Sequence, residues 1–306
     1  MAGGDCMGAF SWSSIQPAEV LEESRKARFR PQWRDMLLGY LGLVPGMQVL
    51  EVGCGPGTLA PYLAAGIAPG SVTGLDLDAQ FVARARAKAE AAGIQGVRYV
   101  VGDAYALPFP DGSFDAVTSY SGIGVLEDPE AAIAEMVRVC RPGGAVSIAE
   151  SVAGPQGIAF PGIDHLPGHA TYAGAARFTE LESRLRSGYP GGPPGVGSAR
   201  WPARSLWALM AGLGLQGIEL NAWGHVTAAD DRRTSPEERR RHRELEHARL
   251  AAWIGELLAG EDSSVLDRSE LLELAQLSDR RRLFAEWSPL WDWEGGLSIA
   301  ALGFNP

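Results

Sequence analysis

The spacing of apolar residues predicts a regular alternation of strands and helices over the first half of the chain. Short apolar runs, typical of buried strands, alternate with stretches whose apolar residues recur every three to four positions, which is typical of helices. The predicted strands lie near residues 47–53, 71–77, 97–102, 114–119 and 144–150, and the predicted helices near 57–66, 79–92 and 128–140. Alternation of this kind requires right-handed crossovers, so we expect an α/β fold with a mostly parallel sheet.

The chain follows a different pattern on either side of this block. Residues 17–43 are predicted to form one or two helices, with Leu37, Leu38 and Leu41 on an apolar face. Residues 152–200 are rich in glycine and proline, and a loop this long inside a compact domain is usually functional or disordered. Beyond it the pattern predicts a helix at 203–213, a strand at 215–223, a helical block at 228–288 and a last strand at 291–304.

The most informative segment is residues 49–57, which read Val-Leu-Glu-Val-Gly-Cys-Gly-Pro-Gly. An apolar strand runs into a loop with glycine at alternate positions, which lets the backbone turn sharply and lets a ligand lie close to it. A dinucleotide-binding loop of the G-x-G-x-x-G type presents helix N–H groups to a pyrophosphate. Here the third glycine comes one residue earlier, and the carboxylate of Glu51 stands beside the loop. The segment therefore favours a ligand that carries positive charge.

This segment and four later ones resemble the class I S-adenosylmethionine-dependent methyltransferases, whose first motif is an acid followed by G-x-G-x-G after the first strand. The further landmarks follow in the family's order and are Val72-Thr73-Gly74-Leu75-Asp76, Gly102-Asp103-Ala104, Phe114-Asp115-Ala116-Val117 and Arg141-Pro142-Gly143-Gly144. The match extends over residues 30–151. Within it, Leu107-Pro108-Phe109 and Asp111-Gly112-Ser113-Phe114-Asp115 resemble the branch that acts on quinones, sterols and secondary metabolites.

The resemblance implies a Rossmann-like, doubly wound sheet of seven strands, mostly parallel, with an antiparallel last strand between strands five and six. Helical and loop insertions would form a cap. We expect residues 1–45 to form N-terminal helices flanking the donor site, residues 46–151 the S-adenosylmethionine-binding core, and residues 152–306 the second half of the fold. In that half, residues 152–200 would form the acceptor lid and residues 228–288 a helical insert.

The resemblance also implies where the methyl donor, S-adenosylmethionine, would bind. Glu51 would offset its positive charge at a distance, Asp76 would hold its ribose and Leu77 would flank its adenine. Arg28 or Arg30 could meet the methionine carboxylate by position. The other expected donor contacts are Gly53, Cys54, Gly55 and Gly57 in the loop, Asp103 and Ala104 at the adenine edge, and Ser119, Tyr120 and Ser121 after the fourth strand. Because no base is adjacent to Cys54 in the sequence, we interpret it as a small packed residue and not as a nucleophile.

Fewer residues are candidates for work on the methyl acceptor. In this family the loop after strand five tends to close over the acceptor, and here that loop holds His165, His169 and Tyr172. Either histidine could take a proton from a hydroxyl or an amine, since imidazole titrates near neutrality, and each could equally be a surface histidine in a loop. Glu150, at the end of the fifth strand, is a second base candidate, with a solvated strand-end acid as the alternative. No metal site is expected, because a Pro-Gly pair separates the two histidines and no third ligand is evident nearby.

Composition and charge restrict the partners. The net charge of −10 and the isoelectric point near 5.1 disfavour a nucleic-acid partner, since non-specific binding to phosphates depends on cation density. The three cysteines are odd in number and include no C-x-x-C pair, which fits a reducing compartment. Since neither a signal peptide nor an apolar run long enough to cross a bilayer is evident, we expect a cytoplasmic protein without membrane association.

The sequence therefore predicts an S-adenosylmethionine-dependent methyltransferase that acts on a small molecule by in-line transfer to an oxygen, nitrogen or carbon atom. Such a displacement mainly requires that two molecules are positioned and that water is excluded. The alternatives are an RNA or DNA methyltransferase, a nicotinamide-dependent oxidoreductase and a non-catalytic scaffold that binds the cofactor. Seven of the nine tryptophans follow residue 200, which is typical of core packing, of an aromatic acceptor pocket or of a homodimer surface.

Overall fold

The structure is a computed structural model that describes residues 13, 18–26, 29–152, 174–188, 203–228, 235–260, 265–287 and 293–306. Three of the acceptor-site candidates, His165, His169 and Tyr172, lie outside the described residues, as does Arg28. The roles expected of them stay predictions.

Seven strands form one sheet. They are β1 (Gln48–Val52), β2 (Ser71–Asp76), β3 (Val97–Val101), β4 (Phe114–Tyr120), β5 (Cys140–Val152), β6 (Gln216–Ala228) and β7 (Trp293–Phe304), in the spatial order β3-β2-β1-β4-β5-β7-β6. The first five strands pair in parallel, whereas β7 runs antiparallel to both β5 and β6. The prediction of a mostly parallel Rossmann-like sheet, with an antiparallel last strand between strands five and six, is confirmed.

Helices cover both faces of the sheet. They are α1 (Ala18–Lys26), α2 (Arg34–Tyr40), α3 (Leu59–Ile67), α4 (Ala79–Ala91), α5 (Pro129–Val139), α6 (Ala175–Gly188), α7 (Ala203–Gly212), α8 (Pro236–Ala259) and α9 (Arg268–Trp287). The core on one face includes Leu37, Leu63 and Val82 from α2, α3 and α4. On the other face Met136 of α5 and Met210 of α7 are buried. The strands between these layers bury mostly apolar side chains on both faces, as expected for a covered parallel sheet, and Glu51 is a buried acid among them.

Short polar side chains fix where two of these helices begin. Asp78 accepts hydrogen bonds from the backbone amides of Gln80 and Phe81, at 2.9 and 3.3 Å, and caps α4. Asp128 accepts from the amide of Ala131 at 3.0 Å, and Pro129 occupies the first turn of α5. Asp78 follows the carboxyl end of β2, so the cap also orients the turn that faces the candidate site.

Three helices form a cap with an apolar core of its own. Leu181 of α6 packs with Ile254 of α8 and with Leu271 and Leu274 of α9, and all four side chains are buried. Helix α6 follows β5, whereas α8 and α9 follow β6. Two insertions from different places in the sequence therefore pack together in one helical bundle. The predicted lid segment and the predicted insert thus contribute to the same core.

Ion pairs join α6 to α9 at the surface of the cap. Arg177 Nη2 lies 3.0 Å from Glu273 Oε2, and Arg184 Nη1 lies 2.5 Å from Glu270 Oε1. Because water and salt screen such exposed pairs, they add little to stability. The apolar contacts therefore hold the cap together.

The structure differs from the sequence-based expectation at three elements. Strand β5 begins at Cys140 instead of residue 144, because Cys140 already pairs with Phe114 ahead of an irregularity in the register. Helix α6 lies in a segment for which the composition predicts a loop. The glycines and prolines around it obscure a short helical run of Phe178, Leu181 and Leu185. Strand β6 continues to Ala228 instead of ending at residue 223, because it stays paired with β7 over its whole length. Among the described residues, none of the helices combines the length and the hydropathy needed to span a membrane.

The cap core predicts the effect of one substitution. Leu274→Ala removes a fully buried side chain of α9 and is expected to lower the stability of the cap by about 2–4 kcal/mol. The matched control is Leu272→Ala on the same helix, where the side chain is 46% exposed, and its effect should stay within about 0.5 kcal/mol. Urea unfolding followed by circular dichroism measures both. Equal effects of the two substitutions would contradict the assignment of this core.

Candidate functional site

The loop between β1 and α3 forms the floor of the candidate site. All three glycines adopt positive φ angles, +75° at Gly53, +54° at Gly55 and +72° at Gly57, a region that other residues rarely enter. The amides of Gly53 and Cys54 donate to the carbonyl oxygen of Leu75 at 2.8 and 3.0 Å. The loop is therefore bound to the end of β2 and presents bare backbone to a ligand.

Tyr99 of β3 explains why the third glycine is required. A Cβ added to Gly57 would lie 2.7 Å from the Tyr99 hydroxyl oxygen and 2.6 Å from Cβ of Ala85. A Cβ added to Gly74 would lie 2.7 Å from the same ring. Two glycines thus make room for one aromatic side chain, which supports the loop from below.

Glu51 is the most unusual residue of the site. Its side chain lies in the sheet and is 1% exposed, and its Oε2 atom has no hydrogen-bond partner among the described residues. Burial raises the pKa of Glu51 to about 8, although the nearby charge of Arg25 and a bond from the Ala60 amide act in the opposite direction. A buried acid with an unpartnered oxygen is suited to meet a ligand's positive charge or hydrogen-bond donor.

Asp76, at the end of β2, both shapes the loop and faces the site. Its Oδ2 atom accepts from the amide of Gly55 at 2.7 Å, and its Oδ1 atom accepts from the amide of Asp78 at 2.9 Å. Burial raises the pKa of Asp76, while these two amide bonds lower it. Each carboxylate oxygen has a further lone pair available, so the acid can also accept from ligand hydroxyls.

The donor set fits the methyl donor that the sequence predicts. Five buried polar atoms without a hydrogen-bond partner in the described part of the chain belong to the glycine loop, its following residue or the strands beside it: Glu51 Oε2, Thr58 Oγ1, Tyr99 Oη, Thr118 Oγ1 and Ser119 Oγ. Several are acceptors or hydroxyls, which suits a ligand with a sulfonium, an amino group and ribose hydroxyls. The exposed side chain of Leu77, at 59%, offers an apolar surface for a ring next to Asp76.

The residues expected at the adenine edge lie on the adjoining turn after β3. Asp103 is exposed, its Oδ1 atom accepts from the amide of Tyr105 at 2.9 Å, and Ala104 is half-buried beside it. The hydroxyl of Tyr105 accepts from the amide of Asp128 at 3.1 Å, which joins this turn to the start of α5. Since Oδ1 of Asp103 is engaged in this turn, we expect its Oδ2 atom to be the one that meets a ligand.

The residues after β4 approach the glycine loop closely. Ser119 is fully buried, and a Cβ on Gly122 would lie 2.8 Å from its Oγ atom and 3.5 Å from Cα of Gly53. Ser121 has a φ of +53°, alone among the described non-glycine residues, a conformation that costs about 1–3 kcal/mol and is concentrated at functional sites. The turn after β4 is thus held in a strained position against the loop.

An aromatic cluster continues from Tyr120 toward β6. The Tyr120 ring lies 4.9 Å from Phe29, edge to face, and 6.2 Å from Trp223, measured between ring centroids. Its hydroxyl is hydrogen-bonded to the Ser298 hydroxyl at 3.0 Å in the core. Because Tyr120 is only 2% exposed, we expect it to support the candidate site by packing and not by direct contact with a ligand.

Two arginines near the N-terminus have different surroundings. The guanidinium of Arg30 lies 5.6 Å from the Trp33 ring centroid, and its carbonyl oxygen accepts from the Tyr62 hydroxyl. Arg25, which the sequence analysis did not single out, is 8% exposed and lies over the glycine loop, 3.2 Å from the position of a Cβ on Gly55. No spacing signal distinguishes Arg25 from the other charged residues of α1, so only the packing of the helix identifies it.

The acceptor side has one described candidate. Glu150, near the end of β5, is half-buried, and its Oε1 atom accepts from the amide of Gly124 at 2.9 Å. Cys54 is fully buried, and burial raises the pKa of its thiol well above the ordinary value, so the thiolate needed for nucleophilic attack is suppressed. In the described part of the chain no group of three or more metal-ligating side chains is present.

Comparisons with known proteins agree with this geometry. Residues 50–148 match the family model for a methyltransferase domain. The demethylmenaquinone methyltransferase of Renibacterium salmoninarum is 38% identical over 120 residues, which cover 39% of this chain and 47% of that protein. The phosphatidylethanolamine N-methyltransferase of Cereibacter sphaeroides is 41% identical over 113 residues, covering 37% and 54%. The chain thus spans about half the length of these curated relatives.

The fold is similar to that of the YcgJ protein from Bacillus subtilis. The TM-score is 0.53 at 18% sequence identity, and the likeness covers 90% of this chain and 98% of that chain. At this identity the similarity concerns the fold alone.

The raised pKa of Glu51 predicts how donor binding depends on pH. Without a ligand, Glu51 is mostly protonated below about pH 8. A cationic ligand favours the ionised carboxylate, so binding of the ligand in this pH range releases a proton from Glu51. The affinity for S-adenosylmethionine relative to S-adenosylhomocysteine, which lacks the sulfonium charge, should therefore rise about tenfold from pH 6 to pH 8.5. Calorimetric titration of both ligands measures the ratio, and Glu51→Gln should flatten it. A ratio that does not change with pH in the wild-type protein would contradict this role.

The support that Tyr99 gives to the loop predicts a second effect. Gly57→Ala combines an unfavourable φ with a clash against Ala85 and Tyr99, and should lower the free energy of unfolding by about 2–4 kcal/mol. The matched control is Gly93→Ala, which has a similar φ of +62° in open space, and it should cost about 1 kcal/mol. Denaturant unfolding compares the two variants. A smaller effect at Gly57 than at Gly93 would rule out the steric explanation.

Proposed function

We propose that this chain transfers the methyl group of S-adenosylmethionine to a small, largely apolar molecule, because residues 50–148 match the family model for a methyltransferase domain and resemble a menaquinone-type methyltransferase. The transfer would be an in-line displacement that leaves S-adenosylhomocysteine. When bound, the sulfonium supplies the reactive methyl group, and the protein's task is to position two molecules and to exclude water.

One observation carries the donor half of the proposal. The buried carboxylate of Glu51 has an unpartnered oxygen beside a loop that lets a ligand touch the backbone. Leaving a buried acid unpaired costs free energy, so such a group is expected where a ligand satisfies it. Asp76 would hold the ribose hydroxyls, and Leu77 would lie against the adenine ring.

Support for a small acceptor comes from three sources. The named relatives act on a menaquinone precursor and on a phospholipid, both of which carry long apolar tails. The buried aromatic cluster around Tyr120 and Trp223 makes the packing behind the turn that follows β4 apolar. The net charge of −10 disfavours a nucleic-acid acceptor.

Glu150 is the described residue best placed to take up a proton from the acceptor. In a parallel sheet the carboxyl ends of the strands meet at one edge, so the ends of β4 and β5 adjoin the glycine loop. Where the methylated group is a hydroxyl, an amine that carries hydrogen or an activated C–H, a proton has to leave, and a half-buried carboxylate can accept it. His165, His169 and Tyr172 remain candidates for the same task.

A transfer assay tests the proposal. The purified protein is incubated with S-adenosylmethionine labelled in the methyl group and, in parallel, with a demethylated menaquinone in its reduced form, phosphatidylethanolamine, tRNA and no acceptor. We expect label in one of the apolar acceptors and none in tRNA. Transfer to tRNA alone would overturn the small-molecule assignment, and failure to bind either adenosyl ligand would overturn the donor site.

Glu150→Gln separates proton transfer from donor binding. The amide oxygen of Gln can still accept from Gly124, so the turn should be kept, whereas the base is lost. We expect kcat to fall about 100-fold or more with unchanged affinity for S-adenosylhomocysteine. Glu127→Gln, an exposed acid three positions from Gly124, is the matched control and should leave kcat unchanged. Wild-type turnover in the Glu150 variant would remove this residue from the mechanism.

A further inference from the structure

Helix α1 lies along the glycine loop, and the carboxylate of Glu22 is its most buried link to α4. Glu22 accepts hydrogen bonds from Arg84, at 2.9 and 3.1 Å, and from Lys88 at 2.8 Å, and both partners belong to α4. Lys88 also donates to the carbonyl oxygen of Pro56, inside the loop, at 3.1 Å. Lys88 of α4 therefore contacts both α1, through Glu22, and the glycine loop, through Pro56. We refer to Glu22, Arg84 and Lys88 as the clasp.

Arg25 follows Glu22 by one helical turn and points into the site. Its side chain is buried, and its Nη1 atom lies 3.2 Å from where a Cβ of Gly55 would be. The positive charge of Arg25 lowers the pKa values of both Glu51 and Asp76 against the effect of burial. One guanidinium thus favours the ionised form of the two acids that would meet the donor.

We propose that Arg25 competes with the donor's sulfonium for Glu51 and Asp76, so that α1 is a lid which the charge of the donor helps to open. This inference rests on the proposed donor site. Two cations that neutralise the same buried acids repel each other strongly where the local dielectric constant is low. The neutral product S-adenosylhomocysteine creates no such repulsion and can share the site with Arg25.

The competition has a consequence for the order of events. Binding of the cationic donor pushes Arg25 and α1 outward, and the clasp opposes that movement. Loss of the sulfonium charge after transfer removes the repulsion, and α1 can return. Because α1 also packs against α8, its movement reaches the cap.

Two substitutions at Arg25 test the competition. Arg25→Met removes the charge and keeps an apolar stem, whereas Arg25→Lys keeps the charge. Calorimetry gives the dissociation constants of S-adenosylmethionine and S-adenosylhomocysteine for each variant, with circular dichroism as the check on folding. We expect Arg25→Met to shift the ratio of the two constants about tenfold toward S-adenosylmethionine, and Arg25→Lys to keep the wild-type ratio.

The opposite results are distinct. If Arg25→Met weakens the binding of both ligands equally, the ratio of the two dissociation constants stays unchanged. The guanidinium then binds a group that both ligands share, such as their methionine-derived carboxylate, and the competition is refuted. If the wild-type protein binds neither ligand, the proposed donor site fails, and the competition with it. If both ligands bind and Arg25→Met changes neither constant, only the competition fails.

The clasp is tested by the rate of binding. Glu22→Gln loosens the clasp, so association of S-adenosylhomocysteine, followed by stopped-flow fluorescence, should become about three- to tenfold faster. The matched control is Glu19→Gln on the same helix, since Glu19 pairs with the same Arg84 at 2.5 Å but is more exposed. It should change the rate by less than about twofold. Equal rates in the wild-type protein and the Glu22 variant would show that α1 does not gate the site.

Discussion

The site depends on one carboxylate buried in the centre of the sheet. Pairing of β1 with both neighbours places Glu51 between Gly74 and Thr118, so its position is set by the backbone ladder. The pKa of Glu51 is about 8 in the folded protein and near 4.5 in an unfolded chain, so only the folded state holds this proton between those values. Stability therefore falls as pH rises through that window, by about 1.4 kcal/mol per unit. The fold keeps a destabilising group where a ligand's charge can be met.

The features around Glu51 serve either to shape the loop or to compensate charge. Asp76 does both, because its two oxygens accept from the amides of Gly55 and Asp78 and still face the site. Tyr99 supports the loop without bringing charge, and Arg25 brings charge from outside the sheet. The strained turn at Ser121 closes the same space from the side of β4.

The parts of the fold that follow local rules were predictable, and those that depend on distant packing were not. The strands, the loop and the acids at strand ends follow from period and spacing, and the strand order follows from the family that they resemble. Arg25 was missed because α1 carries several charges, and only its docking on the loop decides which one is buried. Helix α6 was missed because its apolar residues are buried only by contacts with α8 and α9, which lie far away in the sequence.

The place of β7 sets the order in which the sheet can be completed during synthesis. Strands β5 and β6 are made first, yet they cannot lie side by side in the final sheet, because β7 separates them. The edge of β5 from Ala145 to Val152 stays unpaired until residues 293–304, well over a hundred positions later in the sequence, have been synthesised. An open edge of this kind can pair with the wrong strand, and pairing across such a distance is slow. The nascent chain therefore needs its β5 edge shielded until β7 emerges from the ribosome.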